Sequence, residues 1–422
     1  MYRSKKYIIL IFLLFAFAGY LSAEILIPMD HTQNNHLKAY GIAYFALQNG
    51  FNVEWLLNYR GGAFSIPDHA ALEKECLLRA VTYEKIGRNR YASIQAEIEA
   101  NNMASILLEK APEIAVYTPP NTLPWDDAVT LALSYAEIPY SKIYDREILG
   151  GELDKYDWLH LHHEDFTGQY GKFYANYRNA AWYIQEQITQ ESLAKQLGYQ
   201  KVSQLKLAVA QKIREYVLSG GFMFAMCAAT DTYDIALSAA GTDICHAVFD
   251  HDPIDPDYQE KLDYNSCFAF SDFILYPDPQ LYEFSDIDIP PGNAPLQLDA
   301  ATDYFSLFEF SAKFDPIPAM LTQNHESLIR GFMGQTTYFN RKRIKKHVLI
   351  MGETRNSDRV KYIHGNAGKG TFTYYGGHDP EDYRHYVGDP PTNLDLHKNS
   401  PGYRLILNNI LFPAAKKQER KT

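Results

Sequence analysis

The chain has 422 residues, a net charge of −11 and a hydrophobic share of 46%. That length holds two or three domains, or one domain with large insertions, and the hydrophobic share excludes a disordered chain. The acidic balance argues against nucleic acid as a partner, because phosphate binding needs a clustered basic face. The basic runs, Arg341-Lys-Arg343 with Lys345-Lys346 and the tail Lys416-Lys417, read as solvated surface.

Arg3, Lys5 and Lys6 precede an apolar run over 7–19, and Ser22-Ala23 and Glu24 follow it. A positive end, an apolar middle and a small-residue exit are the parts of a cleavable secretory signal, so a periplasmic or secreted protein is expected. An uncleaved anchor is the alternative, but the run is short for a bilayer span. No later segment has the length and apolarity of a span, so no stable membrane span is expected after cleavage. The four cysteines, Cys76, Cys227, Cys245 and Cys267, form no CxxC pair. Export permits a disulfide, and Cys245 with Cys267 is the expected pair.

Residues 25–29 read as a buried strand, 35–48 as a helix capped by Asn34, and 51–59 as a strand stopped by Gly61-Gly62. This spells a βαβ unit. A similar unit follows: a strand at 113–118, a helix from Pro124 to about 136, and a strand at 140–148. Residues 157–162 form a strand, 205–219 an amphipathic helix ended by Gly220-Gly221, 222–226 a buried strand, and 230–240 a helix. From 246 to 345 Pro, Asp and aromatic residues mix with short strands, as in a β-rich insertion. Strands at 347–351 and 371–375 and a helix at 403–411 close the chain. The alternation predicts an α/β fold with a doubly wound, largely parallel sheet and its site at strand C-terminal ends. The expected divisions are a signal peptide (1–23), an N-terminal α/β unit (24–110), a core in two parts (111–245 and 346–414), the insertion (246–345) and a basic tail (415–422).

Cys227 falls at a strand-to-helix junction among Ala225, Ala228 and Ala229, where a nucleophile projects from a tight turn and the helix N-terminus favours a thiolate. The bland alternative is a buried cysteine packing as a small hydrophobe. His378 follows another strand, after Gly376-Gly377, and can serve as base for Cys227, with Glu381 or Asp379 orienting its ring. His160 and His162 share one face of their strand, and His163, Glu164 and Asp165 fall at its rim. His162, His163 and Glu164 suit a divalent metal, against the alternative of hydrogen-bonded scaffold histidines. No other cofactor is indicated. The stretch 250–257 offers calcium-like oxygens without EF-hand spacing and reads as a solvated acidic turn. The 32 tyrosines could stack on sugars, although tyrosines more often fill half-buried positions.

Gly220-Gly-Phe-Met-Phe-Ala-Met-Cys227, Gly368-Lys-Gly370 and the strand ending in Gly-His-Asp-Pro-Glu381 resemble the class I glutamine amidotransferase-like superfamily, including its ThuA-like branch. The resemblance covers about 111–245 and 347–413. It implies a flavodoxin-like sheet and a cysteine hydrolase or amidohydrolase acting on an amide or ester. Both glycines of that family's Gly-x-Cys-x-Gly elbow are alanine here, and its His-Pro-Glu is His-Asp-Pro-Glu. The whole chain also resembles exported Bacteroidetes-type proteins labelled asparagine synthetase B, through 162–171, 226–234 and 376–382. Ser219-Gly-Gly221 is followed by Phe-Met-Phe, with no phosphate-cradling loop, so ATP-dependent synthesis is not expected. The rival function is a non-catalytic or metal-assisted carbohydrate-binding protein using His162, His163, Glu164 and His378. Either reading takes a small-molecule, carbohydrate or peptide-like ligand. N-terminal sequencing of the exported protein should read from near Glu24, whereas an intact apolar segment in the membrane fraction would reveal an anchor.

Overall fold

Apolar residues on both faces of the first strands commit the N-terminal region to a sheet covered on two sides. The computed structural model describes residues 23–120, 127–289, 299–323 and 326–415. The segment read as a signal, the helix start at Pro124 and the basic tail residues Lys416-Lys417 lie outside these residues. Strands β1 (Glu24–Ile27), β2 (Val53–Leu57), β3 (Ala63–Pro67), β4 (Glu84–Ile86) and β5 (Ala104–Leu108) form one sheet in the order β4-β1-β3-β2-β5. Every neighbouring pair in it is antiparallel. The expected βαβ unit is therefore split: β1 and β2 run the same way, but β3 lies between them. Gly61 and Gly62, both at positive φ, turn the chain straight back into β3, where the sequence reading ended the unit.

The second sheet holds β6 (Ile114–Tyr117), β7 (Ser141–Ile143), β8 (Trp158–Leu161), β9 (Phe222–Met226), β10 (Tyr304–Leu307), β11 (Leu328–Arg330), β13 (Leu349–Glu353), β14 (Arg359–Ala367) and β15 (Gly370–Tyr375) in the order β11-β10-β13-β14-β15-β9-β8-β6-β7, with β12 (Phe339–Asn340) beside β14. The five strands β7-β6-β8-β9-β15 are parallel. The four beyond them are antiparallel, so the α/β fold carries a mixed sheet rather than a largely parallel one. The two faces alternate as the pleat requires. Ile114, Val116, Trp158, Phe224 and Met226 join one core, and Ala115, Tyr117, Leu159, Leu161 and Met223 join another.

The first core is shared. The helices His36–Gln48, Ala128–Ala136 and Pro401–Leu411 lie in it together with Ile25, Trp55 and Phe64 of the N-terminal sheet. A single helical layer therefore covers one face of each sheet. The second core is closed by the helices Val202–Ser219 and Ala229–Ser238. Within it Lys206 donates to Tyr117 and Tyr144 and lies 3.2 Å from the carboxylate of Asp145. A buried lysine needs such partners.

The stretch 246–345 is not the expected β-rich lobe. Its described residues hold three short strands, and these extend or flank the main sheet. Its irregular backbone is satisfied by core side chains instead. Asp234 accepts the N–H groups of Phe268, Ala269 and Phe270 at 2.8, 2.7 and 2.9 Å, as buried backbone demands. The expected disulfide is absent as well: all four cysteines are free, and Cys245 and Cys267 instead face the carbonyls of Thr167 and Asp234. The acidic turn pairs internally, with Asp250 and Asp252 on Lys201 and Asp255 and Asp257 on Lys261. Among the described residues no helix is long and apolar enough to cross a membrane.

His364 is buried in β14 against Thr373 Oγ1, 2.9 Å away. Burial pushes its imidazole down from 6.5 to about 4. The unfolded chain binds this proton more readily, so the stability contributed by the neutral ring is present above pH 6.5 and lost as pH falls toward 4, by roughly 3 kcal/mol. Denaturant titrations across that window should show a shallower loss for His364→Asn than for wild type. An unchanged slope would acquit His364.

Candidate functional site

Three adjacent parallel strands, β8, β9 and β15, deliver their C-terminal residues to one place. At the end of β9 the chain turns sharply into the helix Ala229–Ser238. Cys227 makes that turn with φ +52°, a left-handed conformation that costs a side-chain-bearing residue about 1–2 kcal/mol. Hydrogen bonds over-determine it. Cys227 N–H donates to Gly377 O at 3.2 Å, Cys227 O accepts from Thr230, and Ala229 N–H donates to His162 O at 2.9 Å. The turn is thus bonded to the loop after β8 on one side and to the loop after β15 on the other. Gln335 N–H donates to Cys227 Sγ at 3.3 Å. Cys227 as a whole is buried, 4% exposed.

The two loops meet across the end of β9. His162 Nε2 lies 3.1 Å from His378 Nδ1, and His162 Nδ1 lies 3.4 Å from Asp127 Oδ1. Asp127 caps the helix Ala128–Ala136 through Val129 and Thr130 N–H. Its second oxygen faces His160 Nε2 at 3.1 Å, and His160 Nδ1 faces Phe224 O. His163 joins the group, with ring centroids 4.7 Å from His162 and 5.7 Å from His378. His385 stacks on His378 at 4.6 Å and is held by Asp382. Gly377 has φ +92°, and a Cβ there would meet Phe332 and Lys361 Nζ within 2.7 Å; only glycine lets this loop come so close.

The charges are sorted by burial. Burial opposes ionisation of Asp127, but His160 and His162 outweigh it and hold its carboxyl well below the usual range. Burial lowers His162 to about 4 and, together with the neighbouring imidazoles, lowers His163 well below its ordinary value. Beside Cys227, burial raises Asp231 to about 7 and lowers Lys361 to about 7. Asp231 accepts from Thr336 Oγ1 at 2.8 Å, and Lys361 donates to Phe332 O and Thr337 O.

The structure brings His162, His163 and His378 together, ties the Cys227 backbone to the loop that carries His378, and reassigns their companions. Glu381 pairs with His397 at 3.0 Å. Asp379 accepts from Tyr403 at 2.8 Å and from the N–H groups of Glu381 and Asp382. Neither acid orients His378; His162, backed by Asp127, takes that place. Glu164 turns away from the histidines to lie 3.9 Å from Lys206, and burial raises it to about 8. His378, not Glu164, is the third member of the histidine cluster. Asp165 organises its own loop, accepting from Thr167, Gln169 and Gly171 N–H. Of the two backbone N–H groups that follow Cys227, that of Ala229 is committed to His162 O. Sequence reasoning missed Asp127, Gln335, Asp231 and Lys361. Only Asp127 carried a signal, an acidic cap on a helix that follows a core strand.

No family model matches the chain, and no curated protein matches its sequence. Among solved structures, it is similar to the cytoplasmic protein STM3548 from Salmonella typhimurium, with 10% identity, TM-score 0.33, 75% of this chain and 91% of that one. It is also similar to the cytoplasmic protein STM1381 from Salmonella typhimurium LT2, with 10% identity, TM-score 0.35, 72% of this chain and 99% of that one. At these scores neither likeness bears on function.

If the left-handed turn at Cys227 stores strain, Cys227→Gly should be more stable than Cys227→Ala by about 1 kcal/mol, because glycine adopts that conformation freely. Paired urea denaturation curves measure this, and equal stabilities would deny the strain.

Proposed function

We propose that the protein is a thiol hydrolase acting on an amide or ester of a small-molecule, carbohydrate or peptide-like substrate, exported to the cell envelope by its N-terminal signal. One observation carries the reading: Cys227 makes a left-handed strand-to-helix turn, its N–H bonded to Gly377 O and that of Ala229 to His162 O, so the turn is tied to the loops that carry an imidazole pair. Counted in chain order, the parallel strands run 2-1-3-4-5, the doubly wound order of flavodoxin-like sheets. That order supports the amidotransferase-like reading, with the nucleophile after the fourth strand and the base after the fifth.

In this mechanism His378 takes the Cys227 proton, and the thiolate attacks the substrate carbonyl carbon. Ala228 N–H faces the resulting oxyanion. The proton passes from His378 to the departing amine or alcohol, and water hydrolyses the thioester, returning the thiol. His162 and Asp127 keep the His378 ring in place, the role expected of Glu381 or Asp379 from their closeness in the chain.

The test is alkylation by iodoacetamide at pH 7, with each cysteine followed by mass spectrometry. All four cysteines are buried, yet Cys227 should react faster than Cys76, Cys245 and Cys267, and His378→Ala should slow it by about tenfold or more. Asp127→Asn should slow it in the same direction by less. A Cys227 that stays inert would overturn the nucleophile and favour a binding protein on the same fold.

A further inference from the structure

The histidines at the rim offer more than a base. His162, His163 and His378 each place one ring nitrogen so that all three lie within 4.8 Å of one another. We propose that these three side chains form a site for a zinc-type divalent ion, with Asp127 as the outer-sphere carboxylate. This inference uses the same rim but does not depend on Cys227 acting as a nucleophile.

Two features of the geometry point to a metal rather than to a scaffold. The first is spacing. His162 Nε2 and His378 Nδ1 are 3.1 Å apart, whereas two nitrogens on a tetrahedral zinc are separated by about 3.3 Å. An ion would replace their mutual hydrogen bond with a shift of a few tenths of an ångström. The second is the direction of the His162 ring. Its Nδ1 faces Asp127 Oδ1, so Nε2 is the nitrogen presented to the other two histidines. A carboxylate behind a ligating imidazole fixes its tautomer and raises its basicity. Asp127 is itself held, by two backbone N–H groups of its helix and by His160, so it cannot swing in to become a direct ligand.

The donor set defines the ion. Three imidazoles suit zinc, cobalt, nickel or copper and disfavour magnesium and calcium, which take oxygen ligands. Three protein ligands leave a fourth position for water or a ligand oxygen, the pattern of a catalytic rather than a structural zinc site. His163 is the half-buried member of the cluster and marks the side from which that position would be reached. Glu164, expected from the sequence as a ligand, is excluded because it is committed to the Lys206 pocket.

The experiment uses the tag-free mature chain, stripped with chelator and titrated with Zn²⁺ by calorimetry and with Co²⁺ by visible absorption. One ion per chain is expected, with the intense visible bands of four-coordinate Co²⁺. His163→Ala, at a half-buried position that should leave the fold intact, is expected to weaken binding by about a hundredfold or more, and Asp127→Asn by about 10–100-fold. Cys227→Ala is expected to bind like wild type, which separates this proposal from the hydrolase reading. Thermal melts of each chelator-treated variant guard against misfolding, and the comparison rests on His163→Ala and Asp127→Asn if His162→Ala does not fold. Absence of stoichiometric binding, unchanged affinity in His163→Ala, or loss of binding in Cys227→Ala would overturn the three-histidine site.

Discussion

The helix Pro401–Leu411 is the constraint on which the molecule turns. It is buried on all sides between the two sheets, yet it carries Arg404, Asn408 and Asn409. Buried polar groups persist only when bonded, and here the bonds tie the molecule together. Arg404 donates to Met29 O and Gly61 O of the N-terminal region. Asn408 joins Tyr40 to Gln323 O, and Asn409 reaches Tyr362 in β14. The same helix seats the site: Tyr403 holds Asp379, and the missing side chain of Gly402 leaves room for Pro380, whose Cβ stands 2.4 Å from where a Cβ would sit. The polar residues of one core helix therefore set the loop that carries His378.

From that seat the rim follows. β15 lies beside β9 and β9 beside β8, so the loops after the two outer strands reach across the middle one. The strain at Cys227, the close approach at Gly377 and the His162–His378 contact are three expressions of this crossing. Burial at the same crossing lowers His162 and His163, while His160 and His162 hold the Asp127 carboxyl well below the usual range. The hydrolase reading and the metal reading draw on the same crossing but ask different things of it. One needs His378 to serve Cys227, and the other needs His378 to serve an ion shared with His162 and His163.

How much of the site was legible depended on whether a residue's place was local. Cys227, His378, His162 and His163 could be singled out because each follows a short apolar run, and in an α/β sheet such positions fall at one edge. Their companions could not. Glu164 shares strand parity with His162, but β8 ends at Leu161, so the alternation that would place both on one face no longer holds. Glu381 and Asp379 stand close to His378 in sequence and were natural orienters, yet each is taken by a partner from a distant segment, His397 and Tyr403. Asp127 lies 35 residues before His162 and reaches it only because β6 pairs with β8.

The sequence by itself determined the α/β class, the apolar strands β1, β6, β8, β9 and β15, the main core helices and the residues that end those strands. Each of these depends on local periodicity, capping and turn chemistry, which a single stretch of chain expresses. The tertiary structure alone decided that β3 intervenes between β1 and β2, that half of the large sheet is antiparallel, that Asp234 holds the irregular backbone at 268–270, and that His162 and Asp127 back His378. Strand order and the partners of buried polar groups are set by the packing of segments far apart in the chain, and no local pattern encodes which distant carbonyl or imidazole will complete a bond.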